Sequence, residues 1–188
     1  MNDDKQKYIV GITGASGVVM GMRLVEALLS RHCEVHIVVT HAGQNVLQEE
    51  LNIQQIQQRP NLYTHNINDI TASIASGSVK TNGMIVIPCS MGTLASIANG
   101  ISANLLQRAA DVTIKERRKL ILVPRETPLS SIHLKNMLTL SQNGAIILPP
   151  TPGFYIKPST IDDLINFIVG KVLDQLNIDH DLYKRYRQ

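Results

Sequence analysis

The sequence predicts an α/β fold in which a parallel sheet lies between two layers of helices. Short runs rich in β-branched residues alternate with longer amphipathic stretches, which is typical of repeated strand and helix units. Such units form a parallel sheet with helices on both faces, here Rossmann-like. Because the 188 residues contain no internal repeat and no linker, we expect one domain over residues 1–188, with residues 1–7 and 180–188 as flexible or subunit-contacting ends.

Each element follows from its own pattern. Apolar runs predict five strands, at residues 8–12, 35–39, 84–87, 120–123 and 145–148. Apolar residues at helical spacing predict six helices, at residues 18–29, 43–51, 94–98, 104–118, 131–142 and 160–176. The polar, Gln-rich span of residues 52–80 has the weakest pattern, and we expect a helix there near residues 69–75.

The composition argues against several classes of protein. A formal net charge of +3 is too small to indicate a nucleic-acid partner. The two cysteines, Cys33 and Cys89, suggest neither a disulfide framework nor a zinc site, so we expect a reducing cytoplasmic location and no metal. Cys89 has no histidine near it in the sequence and is interpreted as a packed thiol rather than a nucleophile. The polar N-terminus does not resemble a signal peptide, and no apolar run approaches the length of a membrane span.

Two loops that follow predicted strands suit a mononucleotide. The segment Gly11-Ile-Thr-Gly-Ala-Ser-Gly17 leads into a helix, so its backbone N–H groups and the helix dipole would face an anion. The segment Pro88-Cys-Ser-Met-Gly-Thr93 adds two hydroxyl groups and a flexible glycine at another strand end. The second strand leads to Thr40 instead of the acidic residue that would hold an adenine ribose, which disfavours NAD. The alternative for the glycine loop is simple tight-turn geometry.

A charged pair, Arg125-Glu126, follows a predicted buried strand and lies between Pro124 and Pro128. In open α/β sheets ligands bind outside the carboxyl ends of the strands, and the two prolines restrict the backbone around the pair. A fixed cation beside a fixed carboxylate suits an anionic substrate that needs a proton moved. The alternative is an ordinary salt bridge within the loop.

A second group of charges lies along one predicted helix. Arg108, Asp111, Lys115 and Arg118 fall within a stripe about 80° wide. One interpretation is a solvated helix surface, and the other is a contribution to a binding site, including one across a subunit boundary. Because this helix ends near the opposite edge of the sheet, Arg108 can lie closer to such a site than Arg118.

These motifs together resemble those of the flavin prenyltransferases of the UbiX type, including the small subunits associated with hydroxyarylic acid decarboxylases. The resemblance covers nearly the whole chain. It is carried by Thr13-Gly-Ala-Ser-Gly17, Pro88-Cys-Ser-Met-Gly-Thr93, Arg108-Ala-Ala-Asp-Val112, Lys115-Glu-Arg-Arg118, Pro124-Arg-Glu-Thr-Pro128, Ile132-His-Leu134 with Asn136-Met137, and Pro152-Gly-Phe-Tyr155.

The resemblance implies a Rossmann-like subunit in a large homo-oligomer, usually a dodecamer, whose sites are shared between neighbouring chains. It also implies an activity. Reduced FMN would receive a dimethylallyl unit from dimethylallyl monophosphate at N5 and C6, without a metal. The product, prenylated FMN, would then be used by a UbiD-type decarboxylase.

The resemblance further implies roles for individual residues. FMN would contact Gly14, Ala15, Ser16, Thr40, Ser90, Met91, Gly92, Thr93 and Arg125. Lys115, Tyr155 and Lys171 would hold the donor phosphate, with Arg108 nearby. Ser16 would lie close to flavin N5, while Glu50 and Glu126 would manage protons. Lys171 replaces the arginine of many family members, which keeps the positive charge but loses the bidentate guanidinium fork.

Two other functions stay open at this point. A flavin-dependent cysteine decarboxylase shares the general fold and binds FMN, but its Pro-Ala-Ser-Ala-Asn-Thr signature does not match the segment that starts at Pro88, and no Trp follows Met137. An FMN-binding accessory subunit of a decarboxylase would carry out no chemistry of its own. The retained acid Glu126 argues against it, because a binding module does not need an acid in its pocket.

Overall fold

The computed structural model describes residues 5–186 and is built around a sheet of six parallel strands. The strands are β1 (Lys7–Ile12), β2 (Glu34–Val39), β3 (Leu62–His65), β4 (Gly83–Cys89), β5 (Leu120–Pro124) and β6 (Ile146–Ile147). They pair in the order β3-β2-β1-β4-β5-β6. The order reverses between β1 and β4, and this switch point is where open α/β sheets bind ligands, outside the carboxyl ends of the strands.

Helices cover both faces of the sheet. Within the described residues they are α1 (Val18–Leu29), α2 (His41–Leu51), α3 (Met91–Ala98), α4 (Leu105–Lys115), α5 (Ser131–Gln142) and α6 (Ile161–Leu176). One hydrophobic cluster joins α1, α2 and α6 to the sheet, and a second joins α3, α4 and α5 to its other face. Successive strand residues alternate between the clusters, as Tyr8 and Ile9 do, because side chains of a strand point to opposite faces. The predicted three-layer fold is confirmed.

The span of residues 52–80 differs most from the prediction. It contains the edge strand β3, in which Leu62 is the one buried residue, so the sequence shows no apolar run there. The helix expected near residues 69–75 is wrong, because the chain forms turns and a short 3-10 segment, Ser73–Ala75. The Asp69 carboxylate accepts hydrogen bonds from the backbone N–H and hydroxyl of Thr71, and such local bonds compete with a helix.

Three helix boundaries differ from the prediction by two or more residues, each for a local reason. Helices α2 and α3 begin two or three residues earlier than predicted, directly after the capping hydroxyls of Thr40 and Ser90. Helix α4 ends at Lys115, and Arg117 then adopts a left-handed conformation with φ 57°. Arg118 therefore leaves the predicted stripe, and its guanidinium donates to the carbonyl oxygens of Val79 and Gly77, each at 2.6 Å.

Both chain ends hold close to the domain where the structure describes them. Lys7 opens β1, and His180, Tyr183 and Arg185 bond to α6, while the expectation of flexible or subunit-contacting ends stays a prediction. Residues 1–4 and 187–188 of the predicted ends lie outside the described residues. No helix between residues 5 and 186 combines the length and apolar character that crossing a membrane requires.

Candidate functional site

Three loops meet at the switch point of the sheet. They follow β1, β4 and β5. The glycine loop comprises residues 13–17, the hydroxyl loop comprises Ser90 and the first turn of α3 to residue 93, and the third loop comprises residues 125–128. Backbone bonds hold them together: the N–H of Thr13 donates to the carbonyl oxygen of Pro88 at 3.3 Å, and the N–H of Arg125 donates to that of Cys89 at 3.2 Å. The structure thus brings the glycine loop, the hydroxyl loop and Arg125 to one edge of the sheet.

Thr13 is the link between the first two loops. Its side chain is fully buried, and its hydroxyl donates to the carbonyl oxygen of Pro88 at 2.8 Å while it accepts the N–H of Ser90 at 2.7 Å. The sequence places Thr13 in a motif but predicts no role for its side chain. A buried hydroxyl that serves both as donor and as acceptor fixes the spacing of the two loops.

Glu50 closes the N-terminus of α1 from outside the helix. Its carboxylate accepts the N–H groups of Gly17 at 3.0 Å and Val18 at 3.2 Å, and α1 has no capping bond from the side chain of its own N-cap residue. The expectation that these amides face a bound anion is therefore corrected, because a carboxylate of the protein already occupies the positive end of the helix dipole. The same bonds place Glu50 beside the exposed Ser16.

The glycine loop packs closely against α2 and still exposes part of its surface to solvent. A Cβ at Gly14 would lie 2.4 Å from the Cβ of Ala42, so only glycine allows this close approach to α2. Ala15 is buried, whereas Gly14 and Ser16 face solvent. Two of the three predicted contact residues of this loop are thus accessible to a ligand.

The hydroxyl groups of Thr40 and Ser90 both act as helix caps. Thr40 Oγ1 accepts the N–H of Gly43 at 3.0 Å, and Ser90 Oγ accepts that of Thr93 at 3.4 Å. A Cβ at Gly92 would meet no atom within 4 Å, so there is open space above this loop, while Met91 is buried. A cavity of about 340 Å³ opens beside Thr40 and is also lined by His41, Gln44, His65 and Asn66.

Arg125 and Glu126 do not form a salt bridge with each other. Both are exposed, and among residues 5–186 no ion pair joins them. Glu126 Oε1 accepts the N–H of Thr127 at 2.9 Å, which fixes the carboxylate to its own loop. The loop salt bridge considered from the sequence is therefore wrong, and the guanidinium of Arg125 is available to a ligand.

Arg108 and Lys115, the two residues of α4 expected at the donor phosphate, lie about two turns apart on this helix. Arg108 is one turn into the helix, where its guanidinium donates to the carbonyl oxygen of Ala75 at 3.3 Å and pairs with Asp111 at 2.8 Å. Lys115 is the last residue of the helix, pairs with Glu116 and lies near Gly77, before β4 begins. The next element, β5, begins at Leu120 and its five residues span about 16 Å at the usual rise per residue before Arg125 follows. We therefore expect Lys115 to lie far from the Glu126 of its own subunit.

Tyr155 and Lys171 share one surface of α6. Tyr155 lies in a short 3-10 segment, Phe154–Ile156, and its ring meets Phe167 edge to face with 5.8 Å between centroids. The ammonium of Lys171, one turn further along α6, lies 3.5 Å from the carboxylate of Asp174. No hydrogen bond or ring contact within the described residues joins this surface to the three loops at the switch point.

Cys89 is confirmed as a packed thiol. It is completely buried at the end of β4, and burial raises its pKa to about 12, so it does not ionise at neutral pH. Sequence reasoning missed two other polar residues, Thr13 and Asp174. The position of Thr13 directly after a buried strand could have indicated its role. No sequence pattern indicated Asp174, because its partners His180, Tyr183 and Arg185 lie in the C-terminal segment.

The fold and the loops at the switch point define a flavoprotein, since the family described as Flavoprotein matches residues 1–173. A protein of Halalkalibacterium halodurans named flavin prenyltransferase UbiX is 54% identical over 190 residues, covering 95% of this chain and 92% of the relative. The chain belongs to the UbiX-type flavin prenyltransferases of this family.

Two solved structures share the fold closely. One is described as AnUbiX (PadA1) in complex with FMN and dimethylallyl pyrophosphate; it has a TM-score of 0.94 and 43% identity, over 98% of both chains. The other is described as a dodecameric FMN-dependent UbiX-like decarboxylase from Escherichia coli O157:H7; it has a TM-score of 0.93 and 45% identity, over 97% of this chain and all of the other.

Proposed function

We propose that this protein is a flavin prenyltransferase that joins a dimethylallyl unit from dimethylallyl monophosphate to N5 and C6 of reduced FMN. The product would be prenylated FMN, passed on to a UbiD-type decarboxylase. The observation that carries the proposal is the meeting of the glycine loop, the hydroxyl loop and the exposed Arg125, which pairs with no carboxylate of residues 5–186, at the switch point. The chain is also 54% identical to a protein of that name.

FMN fits the residues at this edge. Open space above Gly92 and the exposed surface of residues 14 and 16 leave room for a flat ring, while the free guanidinium of Arg125 suits an anionic or carbonyl group. We infer that FMN contacts Gly14, Ala15, Ser16, Thr40, Ser90, Met91, Gly92, Thr93 and Arg125. When bound in reduced form, the flavin supplies the nucleophile of the reaction.

The protein must move protons and bind the departing phosphate. In the net reaction the flavin gives up two protons; the alkene takes up one and the phosphate the other. We assign this proton transfer to Glu126 and Glu50, whose carboxylates are held by backbone N–H groups, and we place Ser16 close to flavin N5. Cationic side chains stabilise the leaving phosphate in the way that a metal does in other prenyl transfers.

We infer that the donor phosphate is bound by Lys115, Tyr155 and Lys171, with Arg108 nearby, in a site shared between subunits. The distance from Lys115 to the carboxyl edge of its own sheet supports this sharing. A homo-oligomer, by analogy with the relative described as dodecameric, would bring Lys115 of one chain to the loops of another. The free, buried thiols of Cys33 and Cys89 support a reducing cytoplasmic location.

Mass spectrometry tests the function directly. Purified protein is incubated without oxygen with reduced FMN and either dimethylallyl monophosphate or dimethylallyl pyrophosphate. We expect a flavin heavier by one prenyl unit, formed faster from the monophosphate. If the prenylated flavin formed only from the pyrophosphate, the donor would be dimethylallyl pyrophosphate instead of the monophosphate. Recovery of unmodified FMN with both donors would contradict the enzyme and favour an accessory subunit that only binds flavin.

A further inference from the structure

Asp174, near the end of α6, is the centre of a hydrogen-bond cluster that the proposed function has not used. Its side chain is 17% exposed. One carboxylate oxygen lies 3.1 Å from His180 Nε2 and 2.9 Å from Arg185 Nη2; the other lies 2.5 Å from the Tyr183 hydroxyl and 3.5 Å from Lys171 Nζ. Burial by itself would raise the pKa of Asp174, but hydrogen bonds led by the one from Tyr183 outweigh it and lower this pKa to about 2.

These bonds draw the segment of residues 180–185 against α6. The side chain of His180 is fully buried there. A Cβ at Gly170 would lie 2.6 Å from the ring of Tyr183 and 2.8 Å from the ring of His180, so the absence of a side chain at this helix position lets the segment pack closely. Asp174 and Gly170 are therefore two independent requirements for the same packing.

The segment also supports Tyr155 through a row of aromatic rings. The ring of Tyr183 packs on Phe167 with 5.0 Å between centroids, and Phe167 in turn meets Tyr155 at 5.8 Å. Contacts of this kind fix ring orientation as well as burying area. Asp174 thus touches one of the two α6-side residues assigned to the donor phosphate, Lys171, and reaches the other, Tyr155, through the ring of Tyr183.

We propose that Asp174 is a positioning residue for the donor phosphate, a role that rests on the proposed function. It orients the Lys171 ammonium and holds residues 180–185 so that Tyr155 keeps its place. A lysine has a flexible stem and lacks the planar fork of arginine, so an external partner must fix its direction. The carboxylate of Asp174 also accepts hydrogen bonds from Tyr183, His180 and Arg185, so it does not bind Lys171 alone. The other N–H groups of the Lys171 ammonium are therefore left to bind phosphate.

The substitution Asp174→Asn tests this role, because it keeps the shape and removes the charge. We expect the KM for dimethylallyl monophosphate to rise about tenfold, while kcat and the affinity for FMN change less than about twofold. The matched control is Asp162→Asn, which removes an exposed carboxylate of the same helix that pairs with Arg23; it leaves the KM unchanged. An unchanged or lower KM in Asp174→Asn would overturn the proposal, since it would mean that Asp174 only withholds Lys171 from phosphate.

The substitution Gly170→Ala provides a second test that leaves every charge in place. We expect it to displace residues 180–185 and to raise the KM for the donor in the same direction. If Asp174→Asn fails to fold, the KM of Gly170→Ala for the donor becomes the test. An unchanged KM in a folded Gly170→Ala protein overturns the proposal.

Hydrogen exchange separates this proposal from the proposed function. Amides of residues 178–186 should exchange faster in both variants than in the wild-type protein or in Asp162→Asn, whether or not the protein turns over. Unchanged exchange would overturn the positioning role even in an active enzyme. A wild-type protein that forms no prenylated flavin would instead contradict the proposed function.

Discussion

The exposed carboxylate of Glu126 is one of the two groups to which we assign the proton transfer. The substitution Glu126→Gln keeps its size and its bond from the N–H of Thr127, but it cannot donate or accept the proton. We expect FMN to bind as in the wild-type protein and prenyl transfer to slow by about 10²–10⁴-fold. Single-turnover mass spectrometry measures the rate, and flavin fluorescence measures binding. Wild-type turnover in this variant would remove Glu126 from the mechanism.

Thr13 offers a stability prediction at the same scale. The substitution Thr13→Val leaves the buried carbonyl of Pro88 and the N–H of Ser90 without the hydroxyl that joins them. We expect the free energy of unfolding to fall by about 1–3 kcal/mol, measured by urea denaturation. Thr13→Ser keeps the hydroxyl and should lose much less. Equal losses in both variants would show that the methyl group, and not the link between loops, matters.

At the scale of elements, strands β2 and β3 carry a pair of histidines that should make stability depend on pH. His36 Nδ1 lies 2.8 Å from His65 Nε2, and His36 Nε2 lies 2.7 Å from Glu34, which also pairs with Lys7. Burial lowers the pKa of His36 below its ordinary 6.5 despite the bond to Glu34. Burial and the neighbouring His36 lower the pKa of His65 in the same way.

The direction in which stability changes with pH follows from the protons taken up on unfolding. Below pH 6.5 the unfolded chain binds protons that the folded histidines do not, so the stability present above this pH is lost as the pH falls towards the folded pKa values. For each histidine, the free energy of unfolding changes with pH by at most about 1.4 kcal/mol per pH unit. Urea unfolding at about pH 8 and about pH 6 measures the loss. In His65→Gln it should be smaller, and an equal loss would assign the effect to other groups.

For the whole molecule, the separation of Lys115 from Glu126 predicts complementation between two inactive proteins. Lys115→Ala and Glu126→Gln oligomers should each have little activity. When the two chains are co-expressed in equal amounts, about a quarter of the shared sites combine an intact lysine with an intact acid, and activity should return to that fraction. Activity no higher than the mean of the two parent oligomers would mean that the site is not divided between chains.

The sequence predicted those features that rest on local patterns. Strand and helix periodicity was enough for the three-layer fold, and the position of Arg125 after a buried strand was enough to bring it to the loops of Ser16 and Ser90. The edge strand β3 could not be predicted, because its pairing with β2 is a long-range contact without an apolar run. The capping of α1 by Glu50 was missed for a similar reason, since 33 residues separate Glu50 from Gly17.

The location of Lys115 at the amino edge of its sheet has a practical meaning for anyone who handles this enzyme. In a shared site, a correctly folded free subunit would bind flavin yet lack a cation needed to release phosphate. Specific activity per milligram would then fall on dilution, and the assembly would lose catalysis well before it loses its bound flavin or its helical circular dichroism.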